Sequence, residues 1–308
     1  MRKIIDAHAH LGDIFHYQKN VIWKLGVEPG NYPNPFKRLE DAGFDAPLLS
    51  DISELPTLFE AGKHLNWENT LENLTKRLDK DNVTYIVLYP ILPNIGFEDY
   101  LAASRVEPRI LLFTSADFTL PIPKMVAKLE RDIAMGAKGM KVHPVLQNIP
   151  LEDPRLRAAV EVFGIRKMPV VFHCGVNDYY PAEQTEFVRT PEYSDLKHFL
   201  KFVDEYPDFV FIAGHAGGLN GGEMEMLAER WASLKNKNIY VDTTFRSVGG
   251  IRQLVEFFGE DKVCYGTDLP FSNHTETIKL VEEAFRDNEE IREKVFYKNA
   301  ARILKINI

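Results

Sequence analysis

Three observations predict an α/β fold closed into a (β/α)8 barrel. From residue 66 onward, apolar strand-like runs alternate with stretches of helical spacing. Four of the strand-like runs end in a residue able to hold a metal ion: Ile4-Ile5-Asp6-Ala7-His8-Ala9-His10, Val170-Val171-Phe172-His173, Phe211-Ile212-Ala213-Gly214-His215 and Val263-Cys264-Tyr265-Gly266-Thr267-Asp268. These are the first, fifth, sixth and eighth strands in order. A closed ring of parallel strands gathers such ends around one point, whereas an open doubly wound sheet spreads them apart.

The elements follow in sequence. After the first strand, helical spacing over 69–78 leads to a strand at 85–90, and a short helix at 97–104 leads to one at 110–113. An amphipathic helix at 121–135, with Pro123 tolerated in its first turn, precedes the strand 139–143. The helix at 153–167, capped by Asp153 with Pro154 at its first position, precedes 170–173. Helices at 194–206, 223–234 and 250–258 lead to strands at 209–213, 239–242 and 263–266, and helices at 275–286 and 290–304 close the chain. Strands joined by crossover helices run parallel, with right-handed connections. Eight such units need about 250 residues, so the 308 residues make one barrel domain over 1–308.

One segment breaks the rhythm. Residues 13–66 separate the first strand from its helix, where most such loops need only a few residues. The segment carries Phe15, Tyr17, Trp23, Tyr32, Phe36, Phe44 and Phe59, an aromatic content foreign to disordered linkers. It is expected to be a folded insertion, either a lid over the barrel mouth or a packing extension.

Composition narrows the function classes. The chain is 45% hydrophobic and 27% charged with a net charge of -8 and no basic stripe, which leaves nucleic acid without an electrostatic footing. Cys174 and Cys264 each lie inside a strand-like run, which fits a reducing cytoplasm better than a disulfide framework. Met1-Arg2-Lys3 leads straight into a polar-bearing strand, unlike a signal peptide, and no apolar run approaches the ~20 residues of a membrane span. The expectation is a cytoplasmic protein with a small-molecule substrate and neither nucleic-acid nor membrane partner; a homo-oligomer stays open.

The candidate ligands are chemically consistent. His8 and His10, two apart on a strand, project to the same side. Imidazole nitrogens and carboxylates are the usual ligands of catalytic zinc and related divalent ions, and strand C-terminal ends carry TIM-barrel active sites. Lys141 ends the fourth strand, and His143 shares its parity and should face the mouth, in contact with substrate or packed at the rim. Arg246, just past the seventh strand, is either a bidentate partner for a substrate carboxylate or a surface residue. Asn177 and Asp178 follow His173 and could support the site. His198 should lie on the outer surface, Cys174 should face the helices, and His16, His64 and His274 occupy loops or a helix start.

These residues also carry a family resemblance. Asp6-Ala7-His8-Ala9-His10-Leu11-Gly12, Lys141-Val142-His143-Pro144, Phe172-His173-Cys174-Gly175, Gly214-His215-Ala216-Gly217, Gly266-Thr267-Asp268-Leu269-Pro270 and the closing Asn299-Ala300-Ala301-Arg302-Ile303-Leu304 resemble the amidohydrolase superfamily. The nearest branch is amidohydrolase-2, the aminocarboxymuconate-semialdehyde decarboxylase-like group. The resemblance implies one or two divalent ions, zinc first, with manganese, iron or nickel as alternatives. His8, His10 and Asp268 would be ligands in every version. In a mononuclear site His173 completes the set and His215 is catalytic. In a binuclear site His173 and His215 hold the second ion, and Lys141, carboxylated on its amine, bridges the two. TatD-like nucleases share the HxH opening but carry a glutamate where Lys141 stands.

The expected chemistry is metal-assisted attack of water. Asp268 would move the proton, and His215 would orient the water or stabilise the oxyanion. Amide, lactone or ester hydrolysis is the leading reading. Non-oxidative decarboxylation of a small unsaturated or aromatic acid is the alternative, and a non-catalytic metal-binding barrel stands third.

Overall fold

A computed structural model describes residues 2–15, 18, 20–28, 58–177, 179, 188–219 and 221–308. Among them, eight parallel strands make the barrel: β1 (Ile5–Ala9), β2 (Tyr85–Leu88), β3 (Ile110–Leu112, resuming at Thr114–Ser115), β4 (Met140–Val142), β5 (Val170–Phe172), β6 (Phe211–Ala213), β7 (Ile239–Asp242) and β8 (Val263–Cys264). Each strand pairs in parallel with its successor. The ring closes where Ala9 bridges Leu269, with Ala7 N, His10 N and Asp268 N donating to Tyr265 O, Leu269 O and His8 O at 2.8, 2.7 and 2.7 Å.

Among the described residues, nine helices of eight residues or more stand outside: α1 (Leu58–Trp67), α2 (Leu71–Asp81), α3 (Phe97–Ser104), α4 (Ile122–Ala134), α5 (Pro154–Gly164), α6 (Leu196–Asp204), α7 (Glu223–Trp231), α8 (Val248–Phe258) and α9 (His274–Ala284). Their ends differ from the periodicity-based ones because caps set them. Thr70 accepts from Asn73 N at 3.2 Å, so α2 starts at Leu71, and Asn82 ends it in the left-handed region at φ 54°. Asp153 caps α5 by accepting from Arg155 N at 2.8 Å, as its position before Pro154 suggested. Ser247 accepts from Gly250 N, so α8 begins two residues earlier than expected. The stretch 290–304 is not one helix. A π-turn at Lys294–Lys298 separates Glu289–Glu293 from Asn299–Leu304, and the Val295 carbonyl there accepts from Tyr265 N at 2.8 Å.

Two apolar layers follow from strand alternation. Ile5, Ala7, Val87, Tyr89, Phe113, Val171, Ile212, Tyr240 and Cys264 fill the barrel interior, and Ala300, Ile303 and Leu304 plug it from below. A larger layer, including Phe172 and Cys174, lies between strands and helices. Both cysteines are buried and free. Of the insertion, Ile14, Phe15, Val21 and Ile22 are buried, while Trp23 is half exposed. Tyr17, Tyr32, Phe36 and Phe44, and the side chain of Phe59, lie outside the described residues. No helix among the described residues is long and apolar enough to cross a membrane.

Above the apolar floor, the strand ends have little room to spare. A Cβ on Gly266 would stand 2.9 Å from His8 Cβ and 3.3 Å from Asp242 Cβ. Replacing Gly266 by alanine is expected to cost about 1–3 kcal/mol of stability through overpacking, read by thermal unfolding. An unchanged unfolding midpoint would show that this layer can yield.

Candidate metal centre

His8 and His10 leave the end of β1 with their ring orientations already set. His8 Nδ1 lies 2.8 Å from Asp242 Oδ2, and His10 Nδ1 lies 2.8 Å from the Tyr89 carbonyl. Both partners are acceptors, so each Nδ1 carries the hydrogen and each Nε2 presents a lone pair. Burial first, and the charge of Lys141 second, hold His8 well below the usual imidazole range, so its ring is neutral. The two Nε2 atoms lie 3.4 and 3.2 Å from Asp268 Oδ1. That oxygen is buried yet accepts no hydrogen bond from the described residues. Three acceptors thus converge with no proton shared among them, and the Lys141 amine, 3.2 Å from His8 Nε2, is the donor beside them. This is costly for the bare protein and suited to a cation, since nitrogen and oxygen ligands at about 2.1 Å from one ion stand roughly 3–3.5 Å apart. His8, His10 and Asp268 therefore fit a divalent ion.

A second group, His8, His215 and Asp242, also meets the spacing of a metal site, but hydrogen bonds account for it. Asp242 Oδ1 accepts from His215 N, Thr244 N and Thr244 Oγ1 at 3.2, 3.2 and 2.6 Å, while Oδ2 holds His8. Burial raises the Asp242 carboxyl above the usual range, but the donors around it and the charge of Lys141 favour the carboxylate; as a carboxylate it only accepts, and every proton in the chain behind it then points one way. Thr244 donates to Asp242, His215 Nδ1 donates to Thr244 Oγ1 at 2.8 Å, and His173 Nδ1 donates to His215 Nε2 at 3.0 Å. Tyr179 then donates to His173 Nε2 at 2.6 Å. Burial above all keeps His173 and His215 neutral. His173 and His215 are thus brought beside the ion-sized group but spend both ring nitrogens on this chain, and among the described residues neither joins His10 and Asp268 in a set of three ligands.

Lys141 is wholly buried, with its Nζ 3.2 Å from His8 Nε2. Burial pushes its amine down to about 8, against the pull of Asp268 and Asp242. His143 stacks flat on His173 at 4.0 Å. Its Nδ1 accepts from Leu146 N at 3.3 Å, so its proton sits on Nε2, and burial keeps the ring neutral. Gln147 pins this loop, accepting from His143 N and donating to Ser115 Oγ and Ala116 O.

Arg246 is not a surface residue. It donates through one terminal nitrogen to the carbonyls of His215 and, at 2.8 Å, Gly218. It thereby braces a turn in which His215 and Ala216 adopt φ of 56° and 49°. Asn177 is buried beside Tyr179, and Asp178 and His16 lie outside the described residues. His198 is half exposed, 3.5 Å from Glu152, and His64 sits on α1. His274 is buried against Asp6 at 2.9 Å. Sequence reasoning passed over Asp242, Thr244 and Tyr179. Asp242 had a usable signal, a carboxylate at the C-terminal end of a strand; Thr244 and Tyr179 carried none.

A pocket lined by His10, His143, His173, His215 and Asp268 on one side and by Ile14, Phe15, Tyr179, Leu219, Phe245 and Phe271 on the other opens above the group. Its free space is about 30 Å³, the room of one or two waters. Substrate entry therefore requires side chains such as Phe15 and Tyr179, which pack at 5.4 Å, to yield.

The buried lysine gives a pH signature in metal-stripped protein. An unfolded Lys141 keeps its proton to about 10.5 and the folded one releases it at about 8. Between those values the unfolded chain binds more protons, so this group's contribution to stability rises with pH. The stability gained by Lys141→Met should thus be full below about pH 8 and fade towards 10.5. Denaturant titrations at several pH values check this; a gain that stays flat contradicts it.

The amidohydrolase family model matches residues 5–306. The fold is similar to that of a 5-carboxyvanillate decarboxylase from Sphingomonas paucimobilis, at 13% identity over 100% of both chains with a TM-score of 0.67. It is also similar to a dihydroxybenzoic acid decarboxylase from Polaromonas bound to manganese and 2-nitroresorcinol, at 16% identity over 99% of this chain and 97% of the other, TM-score 0.66. A third likeness is to a probable 2-pyrone-4,6-dicarboxylic acid hydrolase from Acinetobacter baumannii, at 17% identity over 98% and 99%, TM-score 0.60. No curated protein matches the chain in sequence. With the family model spanning almost its whole length, the chain belongs to the amidohydrolase family and is an enzyme of that metal-dependent class.

Proposed function

We propose that this enzyme hydrolyses a small acyl compound, an amide, lactone or ester, with one divalent ion held by His8, His10 and Asp268. The convergence of three unprotonated acceptors on one point carries this reading. Such an ion would polarise the substrate carbonyl and lower the pKa of water towards about 7. The neutral imidazoles and single carboxylate suit zinc or manganese, and the manganese of the Polaromonas relative supports the latter. Saturation of both Asp242 oxygens by hydrogen bonds favours one ion over two.

The chain's own groups divide the remaining work. Asp268 takes the proton of the attacking water and returns it to the leaving group. His143, with its proton on Nε2, donates to the carbonyl oxygen as negative charge grows there. The sequence suggested His215 for that donor role, but its Nδ1 proton is committed to Thr244. His215 instead holds His173 in place. Phe15, Phe245 and Phe271 offer apolar walls to a planar substrate and exclude water from the reacting atoms.

Hydrolysis is preferred over decarboxylation because a carboxylate substrate, held before it departs as CO2, calls for a cationic side chain beside the ion to bind and orient it. Arg246, the residue that could have supplied it, braces backbone carbonyls, and no arginine or lysine is among the described residues lining the pocket. Decarboxylation of a planar acid is the second reading, supported by the likeness to two decarboxylases. Zinc- or manganese-loaded protein offered ring lactones, esters and hydroxybenzoic acids distinguishes them. Acid release or ring opening without CO2 is expected. CO2 release from an intact ring would install the second reading, and turnover of neither class would contradict both. On the preferred substrate, His143→Ala should lower kcat on the order of 10²-fold with metal content unchanged. A rise in KM alone would mean that His143 only binds substrate.

A further inference from the structure

Asp6 stands two residues before His8, wholly buried, and takes no part in the chemistry above. Its carboxylate accepts four hydrogen bonds. Oδ1 takes His8 N and Thr267 N, both at 3.1 Å, while Oδ2 takes Thr267 Oγ1 at 2.6 Å and His274 Nε2 at 2.9 Å. Two of these donors are backbone amides of special standing: one belongs to the ligand His8, the other to the residue directly before Asp268. A single carboxylate thus ties the two ligand-bearing segments together across the seam where β1 meets the end of β8.

Thr267 extends the clamp. Its Oγ1 accepts from Leu269 N at 3.0 Å, and its carbonyl accepts from Ser272 Oγ. The segment between carries Asp268 in the left-handed region at φ 59°, a conformation that persists only where its surroundings over-determine it. His274 opens α9 and is 1% exposed. Facing a carboxylate, its Nε2 must carry a proton, and its Nδ1 has no hydrogen-bond partner among the described residues. Asp6 is therefore the ring's one polar anchor there, and the ring in turn fixes which way the second oxygen of Asp6 points.

We infer that Asp6 and His274 are a positioning pair that sets the distance between His8 and Asp268, and hence the grip of the centre on its ion. This rests on the metal-centre reading above. Ordinary core satisfaction would make His274 matter for stability alone; the inference makes it matter for metal affinity, through the 3.4 Å separation of His8 Nε2 from Asp268 Oδ1.

The test is zinc affinity by chelator competition, beside thermal unfolding of the metal-free proteins, for wild type, His274→Phe, His274→Gln and Thr267→Val. Glutamine can return a donor nitrogen to the place of His274 Nε2; phenylalanine fills the space without one. His274→Phe is expected to weaken zinc binding about tenfold or more, the usual effect of removing a group that orients ligands, with His274→Gln recovering most of it. Thr267→Val removes another donor to Asp6 and should weaken zinc binding too, which keeps the inference testable if His274→Phe does not fold. Wild-type affinity in all three variants, or equal weakening in the Phe and Gln variants, would overturn the pairing while leaving the metal centre standing. Failure of the wild type to take up zinc would remove the metal centre, and the inference with it.

Discussion

Asp242 is the group on which the site turns. It is a buried acceptor at the end of β7 with no proton to give, so each partner must bring one. His8 brings its Nδ1 proton, which bares Nε2 towards Asp268, and Thr244 brings its hydroxyl, which sets His215, then His173, then Tyr179 in a single direction. One carboxylate thus decides the tautomers of three histidines. Protonate or remove it and each ring is free to turn, which leaves buried imidazoles without partners at a cost of about 1–3 kcal/mol each.

The centre is expensive to hold together. His8, His10, His143, His173, His215, Lys141 and Asp268 are all withdrawn from water at one end of the barrel, and His215, Ala216, Phe245 and Asp268 adopt left-handed backbone there. Such strain endures only where a rigid frame imposes it. The frame is visible: an apolar interior plugged by the C-terminal helix beneath, Arg246 bracing the His215 turn at one side, and the seam between β1 and the end of β8 at the other. Polar groups that oppose folding sit on the part of the molecule best able to bear them.

Much of this could be read from the chain. The alternation of periodicities marked all eight strands, and their C-terminal ends gathered the residues expected to meet: His8, His10 and Asp268 converge, with His173, His215 and Lys141 beside them. The paired apolar and polar faces of short strands make such ends predictable, because parity fixes direction over a few residues. What could not be read depends on side chains that meet far apart in sequence. Asp242 and His8 are 234 residues apart, and nothing local tells that Arg246 turns back to two carbonyls instead of outward. Tautomers were likewise out of reach, since each is set by a partner on another strand. Helix ends slipped for a local reason, caps such as Thr70 and Ser247 taking precedence over the apolar period.

The proposed cation sits where His8 Nε2, His10 Nε2 and Asp268 Oδ1 converge. A crystal of the manganese- or zinc-loaded enzyme, measured at the metal's absorption edge, tests it most directly. One anomalous peak is expected within bonding distance of those three atoms, with His8 Nδ1 still on Asp242. A peak bridged by Lys141, one centred on Asp242 and His215, or no peak at all would contradict it.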